Sequence, residues 1–94
     1  MEEQKLQYHN LMEDVVLRYA DESIATGGGC PCSLCKADVV AYALNHLPAR
    51  YVCTETGRMM VELSSYDLQF RADVLAVLGE AVRLVQSHPR HQQE

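Results

Sequence analysis

Residues 30–53 read CPCSLCKADVVAYALNHLPARYVC, and this stretch decides the fold. Cys30, Cys32 and Cys35 fall within six positions directly before a helical segment, and Cys53 follows that segment. The chain holds four cysteines in all. Because tetrahedral zinc takes four thiolates at about 2.3 Å, two short segments on either side of one helix can enclose it. The stretch therefore predicts a zinc site with the ligands Cys30, Cys32, Cys35 and Cys53.

Three other interpretations of these thiols stay open. Cys32 and Cys35 have the spacing of a redox pair, although such pairs belong in a βαβ context that is absent here. Disulfides would need an oxidising compartment. An iron–sulfur cluster also accepts four thiolates. We prefer zinc among these interpretations. Its role is expected to be structural, because four cysteine ligands leave no open coordination position for a catalytic water.

The composition predicts one domain, residues 1–94, near the lower limit of size for an independent apolar core. Apolar residues make up 48% of the chain, with one Phe and no Trp. A core of Leu, Val, Ala and Met would gain from a metal crosslink or from dimerisation. The formal net charge of -5 argues against a protein that grips duplex nucleic acid.

The N-terminal residues suggest a cytoplasmic protein. Glu2, Glu3 and Lys5 do not form the basic start of a signal peptide, and no apolar run approaches the ~20 residues that cross a bilayer. We therefore expect no membrane association. Cytoplasmic thiols are kept reduced, which favours a bound metal over disulfides.

Apolar spacing predicts an all-α fold with three main helices. The first is expected over about residues 4–20, fading after Asp21, and the second from an N-cap at Ser33 to about His46, ended by Pro48. The last is expected over about residues 66–87. The predicted buried positions are Tyr8, Leu11, Met12, Val15, Val16, Tyr19, Val40, Ala43, Leu44, Leu47, Phe70, Val74, Val77, Leu78, Ala81, Val82 and Val85.

Between the second and last helices the sequence favours a short hairpin or an extended segment. Residues 51–54 and 58–62 are rich in β-prone side chains, and residues 55–57 read as a turn. Ser64 or Ser65 is the expected N-cap of the last helix, and Pro89 is expected to end it.

Residues 30–52 closely resemble the late-competence ComFB family of small bacterial proteins. The cysteines, Ala-Leu-Asn and Leu-Pro-x-Arg-Tyr-Val carry the resemblance. The Asn-x-Met-Glu pattern of residues 10–13 and the His-Pro-Arg-His segment of residues 88–91 support it. Ala49 stands where the family commonly has a second proline, which should loosen this turn slightly.

The resemblance implies a helical, zinc-containing, usually homodimeric regulatory protein. We do not expect it to be an enzyme. Several relatives are receptors for cyclic di-GMP or cyclic di-AMP, so a cyclic dinucleotide ligand and an unknown downstream protein are implied here. The alternative is a zinc-stabilised protein–protein interaction module in competence or motility regulation, without a nucleotide. Regulation through thiol redox chemistry is a third possible class of function.

A cyclic dinucleotide needs guanidinium groups for its phosphates, planar groups for its purines and amides for base edges. The candidate ligand-binding residues are Asn10, Asn45, Arg50, Tyr51, Arg71 and Arg90.

Structural roles compete at five of these positions, all except Arg90. Arg50 can bind carbonyls at the end of the second helix, Tyr51 can be core, and the two asparagines can set helix register. Arg71 can be a solvated surface residue. His46 is expected to bond to a backbone carbonyl rather than to act in function. The other three histidines are still weaker candidates for a functional role.

Overall fold

The computed structural model describes residues 7–64 and 67–89, which form helices and a very small two-stranded sheet. The elements, in chain order, are β1 (His9–Asn10), α1 (Leu11–Thr26), α2 (Ser33–His46), β2 (Tyr51–Val52), α3 (Glu55–Ser64) and α4 (Leu68–Ser87). The long helices α1, α2 and α4 pack against one another in every pairing. The predicted helical class is confirmed, with one helix more than expected within the described ranges.

Helix α1 begins later and ends later than its apolar pattern predicted. Asn10 is its N-cap, and the Asn10 Oδ1 accepts a hydrogen bond from the Met12 N–H at 3.1 Å. Residues 4–6 lie outside the described part of the chain. The helix continues past Asp21 because Ile24, 3% exposed, packs into the core. Gly28 then adopts a φ of 72°, a conformation that glycine takes without strain.

Helix α2 spans the predicted residues, but its N-cap is one position earlier. The Cys32 Sγ accepts a hydrogen bond from the Cys35 N–H at 3.4 Å, so a thiol takes the place of the expected Ser33 hydroxyl. The helix ends at His46, two residues before Pro48.

The predicted second strand of the hairpin is wrong, because residues 58–62 lie within helix α3. The Thr54 Oγ1 accepts a hydrogen bond from the Gly57 N–H at 3.0 Å, and this bond satisfies one of the free donors of the first helical turn. The extended segment is real but shorter than predicted. It consists of β2, which pairs antiparallel with β1, with His9 opposite Val52.

Helix α4 has Asp67 as its N-cap rather than a serine. The Asp67 Oδ1 accepts hydrogen bonds from the Gln69 N–H at 2.7 Å and the Phe70 N–H at 3.3 Å. Ser64 closes α3 instead, and Ser65 lies outside the described residues. The helix ends at Ser87, ahead of Pro89 as predicted.

The core lies where α1, α2 and α4 meet. Its fully or nearly fully buried members are Met12, Val15, Val16, Ile24, Val39, Ala43, Val74, Leu78, Ala81 and Val82. Most predicted core positions are therefore confirmed, and Tyr19, Val40, Leu44 and Phe70 pack around them partly buried. Tyr8 is a correction, since it is 70% exposed. Among the described residues, no helix is long and apolar enough to cross a membrane.

Candidate functional site

Three of the four cysteines converge at the N-terminus of α2. The sulfur atoms of Cys30, Cys32 and Cys35 lie within 4.8 Å of one another. Cys35 is buried in the first turn of α2, whereas Cys30 is partly buried and Cys32 is exposed. Thiolates at a helix N-terminus face backbone N–H groups and the positive end of the helix dipole.

Glycines bring this loop close to α4. A Cβ atom on Gly27 or Gly29 would lie 3.0 Å from the Cγ1 of Val82, so a larger residue would require Val82 or the loop to shift by a few tenths of an ångström. The Gln86 Nε2 also donates a hydrogen bond to the Gly28 carbonyl oxygen at 3.0 Å. The loop that carries the cysteines is therefore held against the C-terminal half of α4.

The three thiols have unequal acidity. The hydrogen bond from the Cys35 N–H lowers the pKa of Cys32 to about 7. Burial, and then the two neighbouring sulfurs, raise the pKa of Cys35 to about 12. Three thiolates at this separation repel one another, and a cation between them would remove that repulsion. The donor set is soft and suits zinc, which needs one further ligand for a tetrahedron.

The structure does not bring Cys53 to this cluster, which corrects the predicted four-cysteine set. Cys53 is exposed and directly follows β2. The backbone carbonyl of Arg50, just before β2, accepts from the Leu11 N–H at 2.8 Å, so Cys53 lies near the start of α1. The cluster follows the other end of α1. At 1.5 Å per residue, the 16 residues of α1 separate these ends by about 24 Å.

Asn10 and Arg50 are brought together, but the amide is used within the fold. The Asn10 Oδ1 that caps α1 also accepts from the Arg50 N–H at 2.7 Å. The guanidinium carbon of Arg50 lies 5.1 Å from the centre of the Phe70 ring, a cation–π contact. Arg50 is thus held between the N-terminus of α1 and the first turn of α4, and it is partly buried.

Tyr51 projects outward beside Arg50 and is 63% exposed, so it is not a core residue. Its ring meets the Tyr8 ring edge-on, with centroids 6.1 Å apart and an interplanar angle of 69°. Sequence reasoning missed Tyr8 as a surface residue because its position fits the apolar stripe of the first helix. Asn45 and Arg71 are both exposed, and Arg90 lies outside the described residues.

A second aromatic contact lies on α2. The rings of Tyr42 and His46 stack with centroids 3.9 Å apart, and the His46 Nδ1 bonds to the Tyr42 carbonyl oxygen at 2.8 Å. The expected carbonyl partner of His46 is therefore confirmed. Burial, followed by the charge of Glu80, raises the pKa of Tyr42. Tyr42 and His46 stand four apart in sequence, and that spacing was the available signal for the stacking.

Fold and site together define a small helical protein whose central helix begins at a cluster of three thiols. Three thiols grouped in this way could hold a metal ion.

The family model described as late competence development protein ComFB matches residues 9–89, and the chain belongs to this family. A solved structure titled "Structural characterization of the late competence protein ComFB from Bacillus subtilis" has the same fold. Its TM-score is 0.81 at 24% sequence identity, over 94% of this chain and 100% of that chain. No curated protein matches the sequence.

Proposed function

We propose that this protein is a cytoplasmic, non-enzymatic regulator that binds a cyclic dinucleotide as a zinc-stabilised homodimer. The family resemblance implies the ligand. The observation that carries the proposal is the exposed Tyr51 ring directly beside Arg50, on a turn fixed to α1 by Asn10. A cation and an aromatic face in one rigid turn are the groups that phosphate and purine require.

Zinc has a structural role in this proposal. Cys30, Cys32 and Cys35 supply three soft ligands from the loop before α2. An ion held there would tie the α1–α2 loop to the start of α2, next to α4. Zinc bound only by the folded chain contributes its binding free energy to folding.

Support for a dimer comes from α3, which packs little against the other helices. Met59 and Leu63 lie one turn apart on α3 and are 56% and 67% exposed. An isolated helix of 10 residues is marginal in water, so a covering partner would stabilise it. A second copy that covers α3 would place two Arg50–Tyr51 turns in one assembly, and a cyclic dinucleotide has two phosphates and two bases.

The dimer is tested by light scattering of the purified protein. Leu63→Glu should convert the dimer to monomer because it places a charge in the proposed interface. Leu84→Glu, at a position 45% exposed on α4, is the matched control and should stay dimeric. A monomeric parent protein would refute the dimer.

Ligand binding is tested by calorimetry of the zinc-loaded protein with cyclic di-GMP and cyclic di-AMP. Arg50→Ala and Tyr51→Ala should each weaken binding at least tenfold, since each removes a direct contact. Arg83→Ala is the control; this arginine is exposed near the C-terminal end of α1, away from β2. The absence of heat with both nucleotides, at tens of micromolar protein, would reject the receptor.

A second candidate is a protein-docking module without a nucleotide, favoured by the two exposed methionines on α3, Met59 and Met60, because methionine adapts to varied partners. It predicts that Met59→Asp abolishes capture of a downstream protein. The same variant should leave nucleotide binding absent, as in the parent protein.

A further inference from the structure

Helices α1 and α2 leave an open apolar groove between them on the surface. Its volume is about 420 Å³, and it is lined by Leu17 from α1 and by Ala37, Val40, Ala41 and Leu44 from α2. The four α2 residues follow the i, i+3, i+4, i+7 spacing of one helix face. Leu17, Ala37 and Ala41 are exposed. The short alanine side chains leave room for another helix at the separation of packed helices, about 8–10 Å.

Helix α3 carries an apolar stripe that needs such a groove. Met59 and Leu63 are both more than half exposed, and within the described part of the chain α3 packs little against the other elements. Its 10 residues form a helix about 15 Å long. The α2 side of the groove runs from Ser33 to Leu44, about 16 Å along the helix axis. The helix and the groove therefore match in length.

The order of side chains along α3 also matches the order along α2. At intervals of four residues, each helix presents one charged side chain followed by two apolar ones. The residues are Glu55, Met59 and Leu63 on α3, and Lys36, Val40 and Leu44 on α2. An α3 helix that lies parallel to α2 therefore sets Glu55 beside Lys36 and the apolar side chains beside one another. An antiparallel helix would set both charges against leucines.

Lys36 has hydrogen-bond donors for a second carboxylate. Its Nζ lies 3.1 Å from the Asp21 Oδ1, and the Asp21 side chain is 78% exposed. An ammonium group has three donors, so the bond to Asp21 leaves donors for Glu55 of another chain. Lys36 lines the same end of the groove as Ser33, and it is the charged residue of this lining.

We propose that helix α3 of a second copy fills this groove, parallel to α2, and that two copies dock in this way reciprocally. The inference rests on the proposed dimer and identifies the surface that covers α3. Each copy carries both the helix and the groove, so a two-fold axis forms the same contact twice. Helix α3 begins four residues after Tyr51, so each proposed nucleotide-binding turn would lie next to the interface.

A pair of alanine variants tests the groove. Ala41→Glu places a charge within it, and Ala76→Glu makes the same change at an exposed position of α4 outside the groove. By light scattering, Ala41→Glu should raise the Kd of the dimer about tenfold or more, and Ala76→Glu should keep the parental value. Circular dichroism of each zinc-loaded variant monitors its fold.

A mixture of two defective variants tests whether the docking is reciprocal. The Ala41→Glu chain keeps an intact α3, and the Leu63→Glu chain keeps an intact groove. Together they retain one of the two contacts, whereas each variant alone retains neither. Native mass spectrometry should therefore find more heterodimer in the mixture than dimer in either variant alone.

An exchange of charges tests the parallel direction and does not depend on the folding of Ala41→Glu. Lys36→Glu and Glu55→Lys should each raise the Kd of the dimer about threefold or more, because each sets like charges together in both contacts. The chain that carries both substitutions should recover most of the parental affinity. No recovery would overturn the pairing of these two residues.

A parental Kd in Ala41→Glu, with a monomeric Leu63→Glu, would mean that another surface covers α3. That result would overturn the inference and leave the dimer intact, and so would a mixture without heterodimer. A monomeric parent protein would leave the groove to a different protein and refute the proposed dimer itself. The two failures are therefore distinguishable.

Discussion

Substitution of Asn10 by alanine should destabilise the fold through two lost hydrogen bonds. The Asn10 Oδ1 caps α1 by accepting from the Met12 N–H at 3.1 Å and also accepts from the Arg50 N–H at 2.7 Å. Loss of an N-cap costs about 1 kcal/mol. A partly buried N–H without its acceptor costs about 1 kcal/mol more. The expected loss of unfolding free energy is therefore about 2 kcal/mol, or roughly 8–16 °C in Tm for a domain of this size.

Urea denaturation of the zinc-loaded protein measures this loss. Asn10→Asp keeps an acceptor oxygen and should lose much less. Asp67→Ala removes an N-cap that makes no contact across the fold among the described bonds, and it should lose about 1 kcal/mol. If Asn10→Ala loses no more than Asp67→Ala, the connection between α1 and the Arg50 turn does not contribute as argued.

Three further predictions address the core, the glycines and the thiols. Leu78→Ala, fully buried, should lose about 2–5 kcal/mol in urea denaturation, whereas Leu84→Ala at the surface should change stability by about 0.5 kcal/mol or less. Gly28→Ala should lower Tm because of its φ of 72°. Gly79→Ala should raise Tm because a Cβ there meets nothing within 4 Å in a helix interior. In the chelated protein, alkylation of Cys32 should accelerate as pH rises through about 7, since the thiolate is the nucleophile; a rise only near 9 would contradict its lowered pKa.

The sequence was sufficient for helices α2 and α4 because their signals agree with one another. In α2 and α4, apolar spacing, a polar residue before the first turn and a proline beyond the last turn all indicate the same limits. The caps themselves were misassigned by one to three residues. Cys32 and Asp67 accept the N–H bonds in place of neighbouring serines, and a choice between adjacent polar residues depends on backbone geometry.

The sequence was insufficient wherever local preference and tertiary placement disagree. Residues 58–62 contain β-prone side chains, yet the Thr54 cap starts a helix through them. Cys53 is close in sequence to α2 but lies near the start of α1, because the β1–β2 pairing and Asn10 hold that turn there. The spacing of cysteines along the chain does not show at which end of α1 the segment with Cys53 lies. The sequence alone therefore could not show that Cys53 is far from the other three cysteines.

The proposed metal ion at Cys30, Cys32 and Cys35 should hold the fold together. The most direct measurement is thermal unfolding of the reduced protein with one equivalent of zinc and after chelation, with native mass spectrometry to count bound ions. We predict one zinc per chain and a Tm lower by about 15 °C or more after chelation, from roughly 4 kcal/mol of lost binding free energy. An ion-free, reduced protein with unchanged Tm would contradict the account.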